Sequence, residues 1–445
     1  MSPPGALLFS VLLYGRLSRS THPRSFSYLS WKRDSATMTH GYTPIDEIPV
    51  GLTKPIARRQ HQLLQLAHFV KDNQEGFETA IHADLGKPLH EVLMGKITAV
   101  FERALICFCA LKLSEIAPNY ASFIAENLPK YLDKDAFCVA LGGVPEITKI
   151  LELKWDHIYY TGNGRVARII ATAAAKHLTP LILELGGESP VIVDATADIE
   201  HAAKRTLAGK TTNCAQICVT PDFVLVERSV ASKFVEACAE VLKGFYPQGA
   251  LNTQRYGRIV SEEHYGRLKG LLDRTKGRIV ASGGARPEEK GIEPIVIADV
   301  NPGDSLLEGE IFGPFLPIVT VENVAGAIDY INDRDHPLVL YLFTTNESTK
   351  TKAMLQNTTS GNACINDTFT QLSINEMPFG GVGESGYGRQ VQYYSYENFV
   401  YGRAEEPFHV LRYPPYTAES VAFFSQVMKT PIPESTNPAE VDVKN

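Results

Sequence analysis

Apolar residues recur at helical spacing over residues 56–84, where Leu63, Leu64, Leu66, Ala67, Phe69 and Val70 stand among polar neighbours. A second helical pattern covers residues 90–110 and a third residues 121–128, before a turn at 129–133. From there the rhythm changes to short apolar strands alternating with helices. Strands are predicted at 136–141, 157–161, 181–185, 191–194 and 223–226, with helices at 165–176, 197–209 and 229–243. A later block repeats the rhythm, with strands at 316–321 and 338–343 and helices at 322–332 and 347–357. Such alternation argues for an α/β fold built on a largely parallel sheet.

A chain of 445 residues is too long for one ordinary core and suggests two or three domains. Hydrophobic content of 44% and charged content of 21% are those of a soluble globular protein. A net charge of −7 gives no nucleic-acid footprint, which leaves small molecules as the expected partners. The seven cysteines (107, 109, 138, 214, 218, 238 and 364) have neither disulfide-framework nor zinc-ligand spacing. That odd, scattered set points to a reducing compartment. Cys107 and Cys109 lie in an apolar run, 104–111, and are expected to be buried structural thiols.

The first 33 residues lack Asp and Glu but carry Arg16, Arg19, Arg24, Lys32 and Arg33. That composition resembles a mitochondrial transit peptide. Met38, at the head of Met38-Thr39-His40-Gly41-Tyr42, reads equally well as a natural start. The expected location is therefore cytoplasmic, or mitochondrial if 1–33 is a targeting peptide. The apolar run 6–14 is far shorter than a membrane span of about 20 residues, so no transmembrane anchor is expected.

Gly162-Asn163-Gly164-Arg165-Val166-Ala167 fits the G-x-G-x-x-G/A pattern between a strand and a helix. There glycines let the backbone approach a pyrophosphate, while the helix N-terminus offers free N–H donors. A plain glycine turn reads the same way, and the strand-turn-helix context tips the balance towards a dinucleotide. Spacing alone would make Glu184 the ribose-binding acid. Its position at a strand end, just before Gly186-Gly187, fits a general base with a pKa raised by partial desolvation. Thirty-four positions later, Cys218 follows Gln216-Ile217. A thiol and a base so arranged point to covalent catalysis through an acyl-enzyme.

With these blocks in place, the chain resembles the aldehyde dehydrogenase superfamily, in its class 3 or fatty-aldehyde branch of fungal type. The resemblance rests on Trp155-Asp156-His157-Ile158-Tyr159-Tyr160-Thr161-Gly162, on 173–180, on Leu183-Glu184-Leu185-Gly186-Gly187 and on Gln216-Ile217-Cys218. Glu310-Ile311-Phe312-Gly313-Pro314 and Pro378-Phe379-Gly380-Gly381-Val382-Gly383 complete it, over residues 38–415. It implies a Rossmann-type cofactor domain joined to an α/β catalytic domain, and NAD(P)-dependent oxidation of aliphatic aldehydes to carboxylic acids. Cys218 would be the nucleophile that forms a thiohemiacetal and then a thioester, and Glu184 the base that activates the hydrolytic water. For NAD or NADP, the resemblance implies Gly162, Asn163 and Val166 beside the pyrophosphate and Lys112 and Glu115 at the adenosine ribose. It likewise implies Leu185 and Gly186 as cofactor contacts and Glu310 as the nicotinamide-ribose ligand, with Phe312 near the ring. Asn366 and Phe379 would approach the pocket. A helix-surface ion pair is the plain alternative for Lys112 and Glu115, a loop charge for Glu310 and ordinary core for Phe312. A homodimer is the family habit.

Measured against the same family, about 70 residues are missing between 105 and 112, more than a shortened loop explains. No Trp-Asn or Phe-Asn-Tyr-Pro element occurs anywhere in the chain. The resemblance implies that the lost asparagine is an oxyanion donor, whose removal typically costs about 10²–10³ in turnover. Glu188, Leu113, Ala215, Ala167 and Gly309 also depart from the family pattern. The expected organisation is a leader-like tail (1–37), an incomplete cofactor domain (38–186), a catalytic domain (187–385), a bridging arm (386–415) and a polar tail (416–445). An impaired cofactor-binding or interaction protein, or a cysteine-dependent esterase, remains the alternative to a dehydrogenase.

Overall fold

The computed structural model describes residues 9–14, 56–92, 109–350, 353, 356–374, 376–400 and 417–427. Residues 1–399 belong to one compact unit and 400–445 to another, in which the helix Ala418–Val427 is described. The remainder of this section concerns the first unit.

Its strands are β1 (Phe9–Tyr14), β2 (Cys109–Leu113), β3 (Phe137–Ala140), β4 (His157–Gly162), β5 (Leu181–Leu185), β6 (Pro190–Val193) and β7 (Phe223–Glu227). They continue with β8 (Arg278–Ser282), β9 (Ala285–Arg286), β10 (Gly291–Ile292), β11 (Ile295–Ala298), β12 (Phe315–Val321), β13 (Val339–Phe343), β14 (Asn362–Ile365) and β15 (Gly386–Tyr387). A six-stranded sheet has the order β15-β5-β4-β1-β2-β3, and a seven-stranded sheet the order β14-β13-β6-β7-β12-β11-β8. In the second sheet every pair is parallel except the β8 edge.

The second sheet is buried on both faces, and the strand period shows why. Phe223 and Leu225 of β7 join one apolar cluster, whereas Val224 and Val226 join the other. Leu340 and Leu342 of β13 likewise face away from Val339, Tyr341 and Phe343. Near-continuous apolar runs are what a two-sided parallel strand requires.

The six-stranded sheet departs from expectation at its centre. Residues 1–37 were expected to be a tail outside the domains, yet β1 lies between β2 and β4, antiparallel to both. Val11 is paired with Lys112 on one side and with Tyr160 on the other. Two facing strand edges each present a row of N–H and C=O groups that must be paired, and this apolar stretch pairs both. β2 and β3 are parallel, as are β4 and β5. Because β1 opposes both β2 and β4, those two strands share a direction, and the C-terminal ends of β2, β4 and β5 lie along one edge.

Other differences are local. The pattern over 56–84 divides into helices Ile56–Asp72 and Gln74–Leu85. Asn73 makes the break: its Nδ2 donates to Phe69 O at 2.8 Å and to the Tyr131 hydroxyl at 3.1 Å. Of the pattern over 90–110, only the helix Leu89–Val92 and the first residues of β2 are described. Cys107 and the junction at 105–108 lie outside the described residues. The bridging arm expected from 386 begins inside this unit, because Gly386 pairs with Glu184 in β5. A Cβ at Gly386, whose φ is +115°, would stand 2.0 Å from Leu183 O, so only glycine permits that approach.

Candidate active site

The edge formed by the C-terminal ends of β2, β4 and β5 gathers most of the expected cofactor residues, as doubly wound sheets do. Lys112, the last residue but one of β2, is 2% exposed, and its Nζ lies 2.6 Å from the carboxylate of Glu115, which is half exposed. The pair therefore joins a strand end to the loop after it and is not a pair on a helix surface. Tyr160, on β4, feels both the Glu115 and the Arg165 charges, so this loop lies close to the glycine turn.

Gly162 closes β4 in register with Leu185 at the end of β5. Asn163 caps the helix Gly164–Ala175 by accepting from Val166 N–H at 3.0 Å. That cap uses one of the N–H groups that an anion at this helix start would seek. Val166 and Leu185 themselves pack in the apolar cluster beneath the helix.

Glu184 is buried at the end of β5, opposite Thr161. Two residues on, Gly186 meets Glu310: a Cβ there would stand 2.1 Å from Glu310 Oε2. Gly187 donates its N–H to Glu310, and the charge of Glu184 is felt at the Glu310 carboxylate. Burial, reinforced by the nearby Asp222 carboxylate, pushes Glu310 well above the usual carboxylate range. Phe312, expected near a nicotinamide ring, is buried in an apolar cluster with Leu113 and Val260. Its φ of +48° puts its backbone in the left-handed region.

Cys218 sits in the loop that leads from helix Ile199–Thr211 to β7 and is partly exposed. It packs beside Tyr341, whose hydroxyl donates to Val219 O at 2.6 Å. The other thiol of the loop differs sharply. Cys214 is sealed in the core, and burial pushes its pKa up to about 12. Asn213, Cys214 and Ala215 run in succession with φ of +51°, +53° and +60°, so the segment before Cys218 is strained. The loop is braced by Gln216, which donates to Asn213 O and Arg258 O and accepts from Val260 N–H.

Against known proteins, residues 98–404 match the model of the aldehyde dehydrogenase family. The chain belongs to the aldehyde dehydrogenase family. It is 41% identical over 321 residues to mouse (Mus musculus) aldehyde dehydrogenase family 3 member A2, a match covering 70% of this chain and 66% of that one. With the rat (Rattus norvegicus) dimeric NADP-preferring aldehyde dehydrogenase it shares 41% identity over 317 residues, 69% of each. Among solved structures, Staphylococcus aureus AldH in its substrate-bound state superposes with a TM-score of 0.78 at 30% identity, covering 85% of this chain and 96% of that one.

As a member of the aldehyde dehydrogenase family the chain has features its sequence did not disclose. Glu188, where relatives are expected to carry lysine, is met by Arg334 at 2.8 and 2.7 Å, and the same guanidinium lies over the Tyr330 ring. A charge reversal is thereby balanced within the fold. Asn366 was expected near the pocket, but its side chain is spent on Thr344: Nδ2 donates to Thr344 O and Oδ1 accepts from Thr344 N–H, both at 2.9 Å. Phe379 is buried against the seven-stranded sheet. Lys210, Asp222 and Arg267 surround the Glu310 loop and were missed, since nothing local marks a buried ion pair. Among the described residues no helix is long and apolar enough to cross a membrane, and no group of three or more His, Cys, Asp or Glu could hold a metal.

Proposed function

We propose that the chain oxidises aldehydes to carboxylic acids with NAD or NADP, through Cys218 as nucleophile and Glu184 as base. The observation that carries this reading is the convergence of Glu184, Gly186 and Glu310 at the end of β5, with a partly exposed thiol at Cys218 and a sealed one at Cys214.

The donor set suits a dinucleotide. Lys112 and Glu115 offer a cation and an acceptor for ribose hydroxyls, the start of helix Gly164–Ala175 offers backbone N–H groups, and Glu310 offers a carboxyl nested against a residue without a side chain. When bound, the nicotinamide supplies the two-electron oxidant. The chain's own groups do the rest. Cys218 Sγ bonds the aldehyde carbon, and the resulting oxyanion must be met by N–H donors. Glu184 takes a proton from the water that cleaves the thioester, releasing the acid and restoring the thiol. An aliphatic substrate is the branch expectation, and the word "dimeric" in the rat relative's name supports a homodimer.

A second reading, a cofactor-binding protein or cysteine esterase with poor turnover, is favoured by the centre of the six-stranded sheet. β1 runs opposite to its neighbours there, and no Phe-Asn-Tyr-Pro element is present to supply an oxyanion donor. One assay separates the readings. Purified protein is given hexanal with NAD⁺ or NADP⁺, and absorbance at the reduced-nicotinamide band is followed beside Cys218→Ala. Cofactor reduction lost in the variant supports the dehydrogenase. Hydrolysis of p-nitrophenyl acetate without any cofactor reduction would replace it with the esterase.

A further inference from the structure

Lys210, at the end of helix Ile199–Thr211, and Asp222, just before β7, are both buried and take no part in the chemistry above. Lys210 Nζ is 3.2 Å from the Asp222 carbonyl oxygen and 3.8 Å from Oδ1. Burial lowers the pKa of the lysine and raises that of the aspartate. Removing two charges from water often costs more than their attraction returns, so such a pair is poor evidence of stabilisation for its own sake.

What the pair does is visible one residue beyond Glu310. The Asp222 carboxylate accepts the N–H of Ile311, at 3.1 Å to Oδ1 and 3.4 Å to Oδ2. Arg267, from helix Glu262–Arg274, donates to the carbonyl oxygen of the same Ile311. Both backbone polar groups of one residue are thus gripped by charged side chains from two separate elements. On the far side of this grip, Phe312 holds a left-handed conformation that persists only where the surroundings enforce it. On the near side is Glu310, whose carboxyl lies against Gly186.

We infer that Asp222 is a positioning residue for Glu310: by accepting the Ile311 N–H it fixes the loop that presents the Glu310 carboxyl at the end of β5. Lys210 neutralises Asp222 in its buried site, and Arg267 holds the other side of the residue. The inference rests on the reading of Glu310 as a cofactor ligand.

Two double variants isolate the hydrogen bond. Lys210→Met with Asp222→Asn removes the ion pair but keeps an acceptor for Ile311 N–H; Lys210→Met with Asp222→Leu removes both. Dissociation constants for NAD⁺ and NADP⁺ are measured by quenching of intrinsic fluorescence, in the parent and in a Glu310→Gln background. The asparagine variant is expected within about threefold of the parent, and the leucine variant about tenfold weaker. In the Glu310→Gln background the leucine variant should change affinity by less than about threefold, because the group it acts through is already lost. Equal affinities for the two double variants, or a full further loss in the Glu310→Gln background, would overturn the inference. A Glu310→Gln chain that binds cofactor like the parent instead removes the reading beneath it. Should the leucine variant fail to fold, Arg267→Met tests the other grip: it must weaken binding in the parent and not in Glu310→Gln, or the inference falls.

Discussion

Glu310 occupies the space that any side chain on Gly186 would need, with Oε2 only 2.1 Å from where a Cβ would stand. The contact joins the end of a strand in the six-stranded sheet to a loop that enters the seven-stranded one.

Gly186→Ala should therefore fold and still fail to bind cofactor normally. The clashing atom is the end of a flexible side chain, so Glu310 can swing away at a stability cost of about 1 kcal/mol or less. Its displacement should weaken NAD⁺ or NADP⁺ binding about tenfold, as loss of one hydrogen bond of about 1.4 kcal/mol does. Denaturant midpoints and cofactor titration together check this. A variant with parental affinity would show that the Glu310 carboxyl is not used.

The two thiols of the loop before β7 should react at very different rates. Cys218 is partly exposed, whereas Cys214 is sealed and its pKa is pushed up to about 12. Iodoacetamide at neutral pH should label Cys218 at least about tenfold faster, with Cys214 labelled only after denaturation. Peptide mass spectrometry over a time course reads the ratio, and equal rates would discount Cys218 as the accessible nucleophile.

His157 predicts an acid sensitivity with a defined sign. It is buried in β4 with its ring 4.4 Å from that of Phe399, and burial lowers its pKa to about 4 from 6.5. Below pH 6.5 the unfolded chain binds this proton while the folded chain resists it. Stability from this group is therefore full above the unfolded value and falls as pH drops towards 4, by up to about 3 kcal/mol. His157→Leu should flatten that part of the profile. Urea unfolding at pH 7.5 and 4.5 gives the comparison, and identical pH dependence in both chains would rule the histidine out.

Deleting residues 1–14 should damage the cofactor sheet. β1 pairs with β2 on one edge and β4 on the other, and its loss leaves both rows of backbone groups without their ladder. A melting temperature lower by about 5–10 °C, with increased self-association, is the expected outcome. Thermal unfolding and size-exclusion chromatography test it; an unchanged deletion chain would mean that β1 adds nothing to the sheet.

Much of the architecture could be read along the chain. The strands now numbered β3 to β7, β12 and β13 follow apolar runs of the expected length, and the helices between them follow the 3.6-residue period. The candidate chemistry was legible as well, since Cys218, Glu184 and the glycine turn sit in short blocks whose order identifies the family. The sequence marked Lys112 and Glu115 as candidates through the resemblance alone and left their geometry open. A three-residue spacing is ambiguous between a helix face and a strand end, and only the pairing of β2 with β3 resolves it.

Local periodicity thus determined most of the segments that become strands and helices, and short motif blocks determined which residues are candidates for the reaction. Tertiary structure alone decided the partners. Nothing in Phe9-Ser10-Val11-Leu12-Leu13-Tyr14 names β2 and β4 as neighbours, because strand pairing is made by backbone groups that every residue possesses. Nor does the sequence around Asp222 announce Ile311, 89 positions away, whose N–H it holds. Spacing along the chain reports only what a residue can meet within its own element. Contacts between distant segments are settled by which buried polar groups must be satisfied once the sheets have packed.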